Sequence, residues 1–287
     1  MNIFKEMPIV FPFYDNEKHF SVRSEHREGN CVYKLISPKN ALLPFQINLP
    51  VDKPAPIAWE ISTVCGKNVI DITNNLKEVK IYSFEGKKQA VYFGEKPLRF
   101  KYGNRDEDLN LETGFYFSRF VFDDGSYYVS EWFYVPSDSF GVGEQSNYFK
   151  IEFWQDKDVL PLIYRDNWKQ TLYLKTFIHA AVPEVEEETK KDGFNNEIPV
   201  FQKMTLKYKF LDIVPDFLKI AIVSLQIQDN VQIVSDNQRS GIISRVSVNA
   251  ENDENIGMSV VDVTFEDEIL TKTSCNNDKP IVSLSNW

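Results

Sequence analysis

Cysteine is scarce in this sequence, and the few that occur form no recognisable pattern. Cys31, Cys65 and Cys275 are the three cysteines among 287 residues. They are odd in number, far apart in the chain and without a CxxC pair. A disulfide framework is therefore excluded, and we expect the chain to be made in a reducing cytoplasm.

Motifs for metal binding and catalysis are also lacking. The three histidines, His19, His26 and His179, show none of the spacings used for zinc. There is no GxSxG, Walker or kinase element, and Gly141-Val-Gly143 has neither the third glycine nor the helix of a nucleotide fingerprint. We therefore predict that the protein is not an enzyme and has no cofactor.

Long apolar runs are absent as well. No segment approaches the roughly 18 apolar residues of a membrane span, and the N-terminus has no apolar region typical of a signal peptide. The 42 acidic side chains exceed the 32 basic ones, giving a formal net charge of −10. A negative field repels phosphate backbones, so we expect neither a membrane span nor direct recognition of nucleic acid.

What the chain has in quantity is aromatic and β-branched residues, which favour strands. With 22 Phe and 13 Tyr, the composition predicts a mainly β protein. Over residues 29–136, short strand candidates recur between turn residues, which predicts an N-terminal β-sandwich domain. Its clearest local signal is Asp123-Asp-Gly-Ser126 between two aromatic runs, the pattern of a β-hairpin.

A polar segment with two glycines, residues 137–147, is predicted to be a linker. The second domain, residues 148–275, is predicted to be a sheet with one packed helix at about residues 215–228. Pro215 suits a first helical turn, and the apolar residues that follow recur at helical spacing. The same run also alternates weakly, so a strand is the competing interpretation. Three strands are expected after it, at Val231–Val234, Gly241–Asn249 and Met258–Glu266.

Three further segments are candidates for contacts with a partner. Residues 1–28 form an N-terminal arm that docks either on its own domain or on a neighbouring subunit. Residues 184–193 read as an acidic, exposed loop that is either simply solvated or reaches a partner. Residues 276–287 form a C-terminal tail. The candidate partner-binding residues are Phe11, Phe13 and Tyr14 in the arm, Glu186, Glu187 and Glu188 in the loop, and Trp287 in the tail.

Weaker constellations leave other sites open. Residues 104–112 carry oxygen-bearing side chains at alternate positions, but Leu109 replaces the turn glycine of a calcium loop. Trp132, Trp154 and Trp168 could stack on sugars, although aromatics in strands more often belong to a core. An acidic cluster is formed by Glu184, Glu186, Glu187 and Glu188, but paired carboxylates act in glycoside hydrolysis only if they flank a cleft.

The second half of the chain resembles structural proteins encoded by phages and prophages of Bacteroidetes-type bacteria. The resemblance is carried by Phe149-Lys-Ile-Glu-Phe-Trp154, Tyr173-Leu-Lys-Thr-Phe-Ile-His179, Pro183-Glu-Val-Glu-Glu-Glu188, Asp192-Gly193, Ile198-Pro-Val-Phe-Gln-Lys203, and Val214-Pro-Asp-Phe-Leu218 followed by Asp229-Asn-Val231. In the first half, Gly114-Phe-Tyr-Phe and Tyr127-Tyr-Val-Ser-Glu-Trp-Phe are similar to strand ends of the same proteins.

This resemblance implies a virion component of the tail, baseplate or neck. Its partners would be copies of itself in a homo-oligomeric ring and other phage structural proteins. The alternative is a carbohydrate- or receptor-binding β-sandwich at the tail tip, for which the aromatic density of residues 115–134 is the sequence basis. A third, hydrolytic interpretation depends on the glutamates at 184–188.

Overall fold

The computed structural model describes residues 7–15, 33–39, 42–64, 69–74, 79–94, 99–102, 105–108, 111–137, 149–159, 162–174, 178–235, 238–239, 242–253, 258–274 and 280–284. Within these residues the chain is mainly β with one helix, as the composition predicts. In the same residues, no helix has the length and apolar character needed to cross a membrane.

The strands of the first half are β1 (Phe13–Asp15), β2 (Phe45–Leu49), β3 (Ala58–Thr63), β4 (Val69–Asp71), β5 (Val79–Phe84), β6 (Lys87–Tyr92), β7 (Arg99–Tyr102), β8 (Arg105–Asp108), β9 (Gly114–Val121), β10 (Tyr127–Ser130) and β11 (Phe133–Val135). They form a six-stranded sheet in the order β1-β10-β9-β3-β4, with β11 also paired to β9. A three-stranded sheet has the order β2-β6-β5, and β7 pairs with β8.

The second half contains β12 (Phe149–Trp154), β13 (Gln170–Leu174), β14 (His179–Lys191), β15 (Glu197–Pro215), helix α1 (Asp216–Ser224), β16 (Asn230–Ser235), β17 (Gln238–Arg239), β18 (Arg245–Asp253), β19 (Met258–Ser274) and β20 (Pro280–Leu284). Short 3-10 turns occur at Arg165–Asn167 and Leu225–Ile227. One sheet has four strands in the order β13-β12-β16-β17. The other has five, in the order β14-β15-β19-β18 with β20 beside β19.

The predicted hairpin around Asp123 is confirmed. β9 and β10 pair antiparallel, with Tyr127 opposite Val121. The Phe122 amide donates to the Ser126 carbonyl at 2.9 Å, and Asp124 accepts from the Ser126 amide at 2.9 Å. Gly125 has a φ of +78°, a left-handed conformation that glycine adopts at little cost.

The predicted helix is also confirmed, and the competing interpretation as a strand is wrong. Pro215 stands at the N-cap, and α1 with the following 3-10 turn covers residues 216–227. Leu218, Ala221, Ile222 and Leu225 are buried. These spacings put the apolar side chains on one face, which packs on the five-stranded sheet.

Two predictions about the second half need correction. Residues 184–191 do not form a loop, because they belong to β14, which pairs along its length with β15. Only residues 192–196 form the turn of this hairpin. The tail is likewise not irregular throughout, because Pro280–Leu284 pairs with the end of β19. A charged sequence can be a strand when its side chains face water and it pairs on one side only.

Buried residues of the two halves form one continuous hydrophobic cluster. It includes Phe11 and Phe45 from the first half and Phe149, Phe210 and Phe265 from the second. A smaller cluster joins Ile9, Val91, Leu162, Tyr164 and Trp168. The predicted linker, residues 137–147, lies outside the described residues except for Ser137.

Candidate functional site: a projecting acidic hairpin

The feature that stands apart from the core is the outer part, residues 182–199, of the hairpin formed by β14 and β15. These strands are 13 and 19 residues long, well above the usual strand length of about five or six. Glu186 lies opposite Lys203, Glu188 opposite Phe201, and Lys191 opposite Glu197. Pro183 is tolerated in β14 because this strand lies at the edge of the sheet.

The turn of the hairpin is held by Asp192. Its backbone amide donates to the Asn196 carbonyl at 2.9 Å, and its carboxylate accepts from the amides of Phe194 and Asn196, each at 2.8 Å. The Asn196 side chain donates to the same carboxylate at 3.0 Å. These hydrogen bonds, with the Asn196 side chain first, lower the pKa of Asp192. The turn is thus well defined although it is exposed.

Both faces of this hairpin are open to water. Residues 182–199 are exposed, apart from the partly buried Asp192. The exposed set includes apolar side chains: Val182 is 58%, Val185 65%, Phe194 89% and Ile198 45% exposed. The hairpin therefore leaves apolar side chains in water, which a contact with another molecule would bury.

Ion pairs on one face of the hairpin link β14 and β15 to the neighbouring strand β19. Lys207 lies 2.6 Å from Glu184 and 3.7 Å from Glu266, and Lys203 lies 3.1 Å from Glu268. The hydrogen bond with Glu184 is the main cause of a raised pKa at Lys207. By contrast, no hydrogen bond or ion pair to the side chain of Glu186 or Glu188 occurs within the described part of the chain.

The candidate residues of the arm lie in different environments. Phe11 is 0% exposed and packs edge-on against Phe45 and Phe133. Phe13 and Tyr14 are partly buried and pair through β1 with Ser130 and Val129. Over residues 7–15 the arm therefore docks on its own chain, the first of the two alternatives. Trp287 lies outside the described residues.

The other constellations gain no support from the geometry. Within the described residues, no group of three or more His, Cys, Asp or Glu side chains could hold a metal ion. The residues of the calcium-like segment that the structure describes as a strand, Arg105–Asp108, pair with β7. Trp168 is 1% exposed, so it cannot stack on a sugar. Glu184 and Glu186 lie on an exposed strand rather than across a cleft.

Sequence reasoning missed a second feature, a groove beside the other edge of the same sheet. It has a volume of about 300 Å³ and lies between the end of the helical segment and the start of β18. Its lining is Leu225, Gln226, Gln228, Asp229, Val231, Ile243, Ser244, Arg245, Val246 and Ser247. Arg245 is exposed, and its guanidinium has no ion pair within the described residues. The alternating pattern at 241–249 indicated a strand but not its position at a sheet edge.

Comparison with known proteins finds no relative. No protein-family model matches the chain, and it has no significant match among curated proteins or among solved structures.

Proposed function

We propose that this chain is a structural subunit of a bacteriophage virion, a ring-forming component of the tail, baseplate or neck. It acts through contacts between subunits and catalyses no reaction. The observation that carries the proposal is the outer part of the β14–β15 hairpin, residues 182–199, whose two faces are both exposed and carry apolar side chains. The virion context comes from the sequence resemblance described above.

The physical argument concerns the stability of such a ribbon. Residues 189–200 of the hairpin form a two-stranded ribbon, because β15 pairs with β19 only from Phe201 onward. A ribbon of this kind is marginally stable in water, since it buries little apolar surface. Docking on another subunit would bury Val185, Phe194 and Ile198, which are at least 45% exposed in the single chain. Burial of an apolar side chain contributes about 1.5–3 kcal/mol. The hairpin is thus suited to a contact that the isolated subunit leaves incomplete.

A second exposed apolar area supports the same proposal. Leu211 and Ile213 on β15 are 58% and 54% exposed, and Val260 on β19, which pairs with Ile213, is 37% exposed. These side chains lie on the sheet surface, facing away from the core residue Phe210. Their coverage by a neighbouring copy would remove them from water.

The finer architecture is part of this proposal. We propose that the first half is a β-sandwich, in which Phe45 of β2 packs against Trp59 of β3 and Phe120 of β9 at ring-centre distances of 5.9 and 5.4 Å. We further propose that residues 148–275 are a second domain that carries the assembly surfaces. The two domains would share one continuous hydrophobic core.

The carbohydrate-binding alternative has less support. Its sequence basis was the aromatic density of residues 115–134, yet Phe120, Phe122 and Phe133 are at most 1% exposed. Of the three candidate tryptophans, Trp168 is buried, whereas Trp132 and Trp154 are partly buried. Burial of these rings removes part of the stacking surface that the sequence suggests.

The test is the oligomeric state of the purified chain, measured by mass photometry and imaged by negative-stain electron microscopy. We expect closed rings, and we expect a Val185→Ser/Phe194→Ser variant to shift the population to monomers. Val51→Ser is the matched control, because Val51 is 59% exposed but lies outside the hairpin. A monomeric wild-type chain at all concentrations, together with its absence from purified virions, would overturn the proposal.

A further inference from the structure

The five-stranded sheet has two edges that run in opposite directions. Each neighbouring pair in the order β14-β15-β19-β18 is antiparallel. Three successive antiparallel pairings leave the first and last strands antiparallel to each other. A copy of the chain placed head to tail would therefore bring its β14 beside β18 in the orientation that continues the antiparallel pattern.

Neither edge is occupied by another strand within the described residues. β14 pairs only with β15, and β18 pairs only with β19. An unpaired edge presents a row of backbone N–H and C=O groups that can bind an added strand. We propose that the acidic edge β14 of one copy pairs with the β18 edge of a second copy, so that Glu186 and Glu188 meet Arg245. The inference rests on the proposed self-assembly and names its contact.

Charges on the two edges lie on the same face of the sheet. Glu184, Glu186 and Glu188 occupy every second position of β14, so their side chains share one face of the sheet. The Glu184 side chain forms an ion pair with Lys207 on that face. Lys207 lies opposite Glu266, which in turn lies opposite Arg245. A head-to-tail continuation keeps the faces aligned, so Arg245 would be on the same side as Glu186 and Glu188, which have no hydrogen bond or ion pair to their side chains among the described residues.

The charges also determine which edges can pair. Two β14 strands would bring like charges together at Glu184, Glu186 and Glu188, and like charges directly opposite each other destabilise a strand pair. A symmetric β14–β14 dimer is thereby disfavoured. Pairing β14 with β18 is instead a heterologous contact, and contacts of this kind generate rings when the rotation closes.

One register brings the remaining features together. With Glu188 opposite Arg245, Glu186 lies opposite Ser247 and Glu184 opposite Asn249. The hairpin turn then extends past the start of β18, toward the stretch of β19 that pairs with β20. Ile242, which precedes β18, is 44% exposed, so Phe194 at the tip would approach an exposed apolar side chain at this end of β18.

The test is a charge exchange between the two edges of the full-length chain. Glu188→Lys and Arg245→Glu are each expected to raise the concentration at half-assembly by about tenfold or more, because like charges across an interface are costly. The double variant Glu188→Lys/Arg245→Glu restores opposite charges and should recover assembly. Both residues are exposed, so circular dichroism and melting curves of every variant should match the wild type.

The matched control uses Glu187, which neighbours Glu188 but projects from the opposite face. Glu187→Lys/Arg245→Glu should remain as defective as Arg245→Glu alone. If the wild type assembles but single reversals do not weaken it, or if the Glu188 exchange fails to recover assembly, the pairing of these strands is overturned while the proposed function stands. If the wild type itself never assembles, the pairing is overturned, and the absence of the chain from purified virions would then overturn the proposed function as well.

Discussion

The indole Nε1 of Trp168 donates a 2.9 Å hydrogen bond to the backbone carbonyl of Tyr92, and both residues are buried. This bond joins the two halves of the chain. Two others run nearby: the Ile163 amide donates to the Gln46 side chain at 3.0 Å, and the Val10 amide donates to the Gln170 side chain at 3.1 Å. The junction between the halves is therefore packed and hydrogen-bonded like a core.

We expect Trp168→Phe to destabilise the protein by about 1–3 kcal/mol, because it removes a hydrogen bond between two buried residues. The whole chain should still unfold in one transition, since the core is continuous across both halves. Urea unfolding followed by far-UV circular dichroism measures both quantities. Two separate transitions, with only one shifted by the substitution, would contradict a shared core.

Local signals gave the correct structure where they were strong. An Asp-Gly pair between aromatic runs specified the β9–β10 hairpin, and Pro215 followed by apolar residues at helical spacing specified α1. The residues 184–191 were predicted wrongly because glutamates disfavour strands on average. Their strand is stabilised by pairing with β15 and by contacts such as Glu184 to Lys207, which depend on tertiary structure.

The candidate site could be predicted only in part. The glutamates at 186–188 were selected from the sequence as partner-binding residues, and they do lie on the projecting hairpin. Phe11 was selected for the same reason, yet its environment is the core, because aromatic residues dock equally well within a chain and between chains. Arg245 is not predicted as a partner-binding residue, because no local sequence pattern shows that a residue will lie at a sheet edge.

Substituting Phe11 tests whether the arm belongs to the core, and the same substitution at the exposed Phe194 of the hairpin turn is the control. Phe11→Ala should cost about 3–5 kcal/mol, because it opens a cavity among Phe13, Phe45 and Phe133. Phe194→Ala should change the stability of the monomer by less than about 0.5 kcal/mol, because the side chain is 89% exposed. Thermal or chemical denaturation of monomeric samples tests both. Equal effects of the two substitutions would mean that the arm is not part of the core.

Replacing Gly94 or Gly125 by alanine distinguishes the stability lost to a steric clash from the stability lost to backbone strain. Both have positive φ, +60° and +78°, so alanine at either position costs about 1–2 kcal/mol of backbone strain. At Gly94 an added Cβ would also lie 2.8 Å from the Pro44 nitrogen, whereas at Gly125 it would meet nothing within 4 Å. We therefore expect Gly94→Ala to be clearly more destabilising in urea unfolding. Similar losses would show that the approach of Pro44 to Gly94 is easily relaxed.

Asp212 should make stability depend on pH in the direction opposite to a salt-bridged carboxylate. Burial raises the pKa of Asp212, which accepts a 2.8 Å hydrogen bond from the Ile213 amide, and burial followed by the charge of Asp212 raises the pKa of Tyr33. Between the pKa of Asp212 in the unfolded chain, about 3.9, and its higher value in the folded protein, the native state binds more protons than the unfolded state. Stability from this group is thus present at acid pH and lost as pH rises.

Asp212→Asn should stabilise the protein at pH 7, and the gain should vanish below the pKa that Asp212 has in the unfolded chain. Asp192→Asn is the control with the opposite sign, because the pKa of Asp192 is lowered by the hydrogen bonds of the turn. The free energy of unfolding of both variants, measured as a function of pH, tests this prediction. A lower stability of Asp212→Asn than of the wild type at pH 7 would show that the folded protein favours the charged carboxylate.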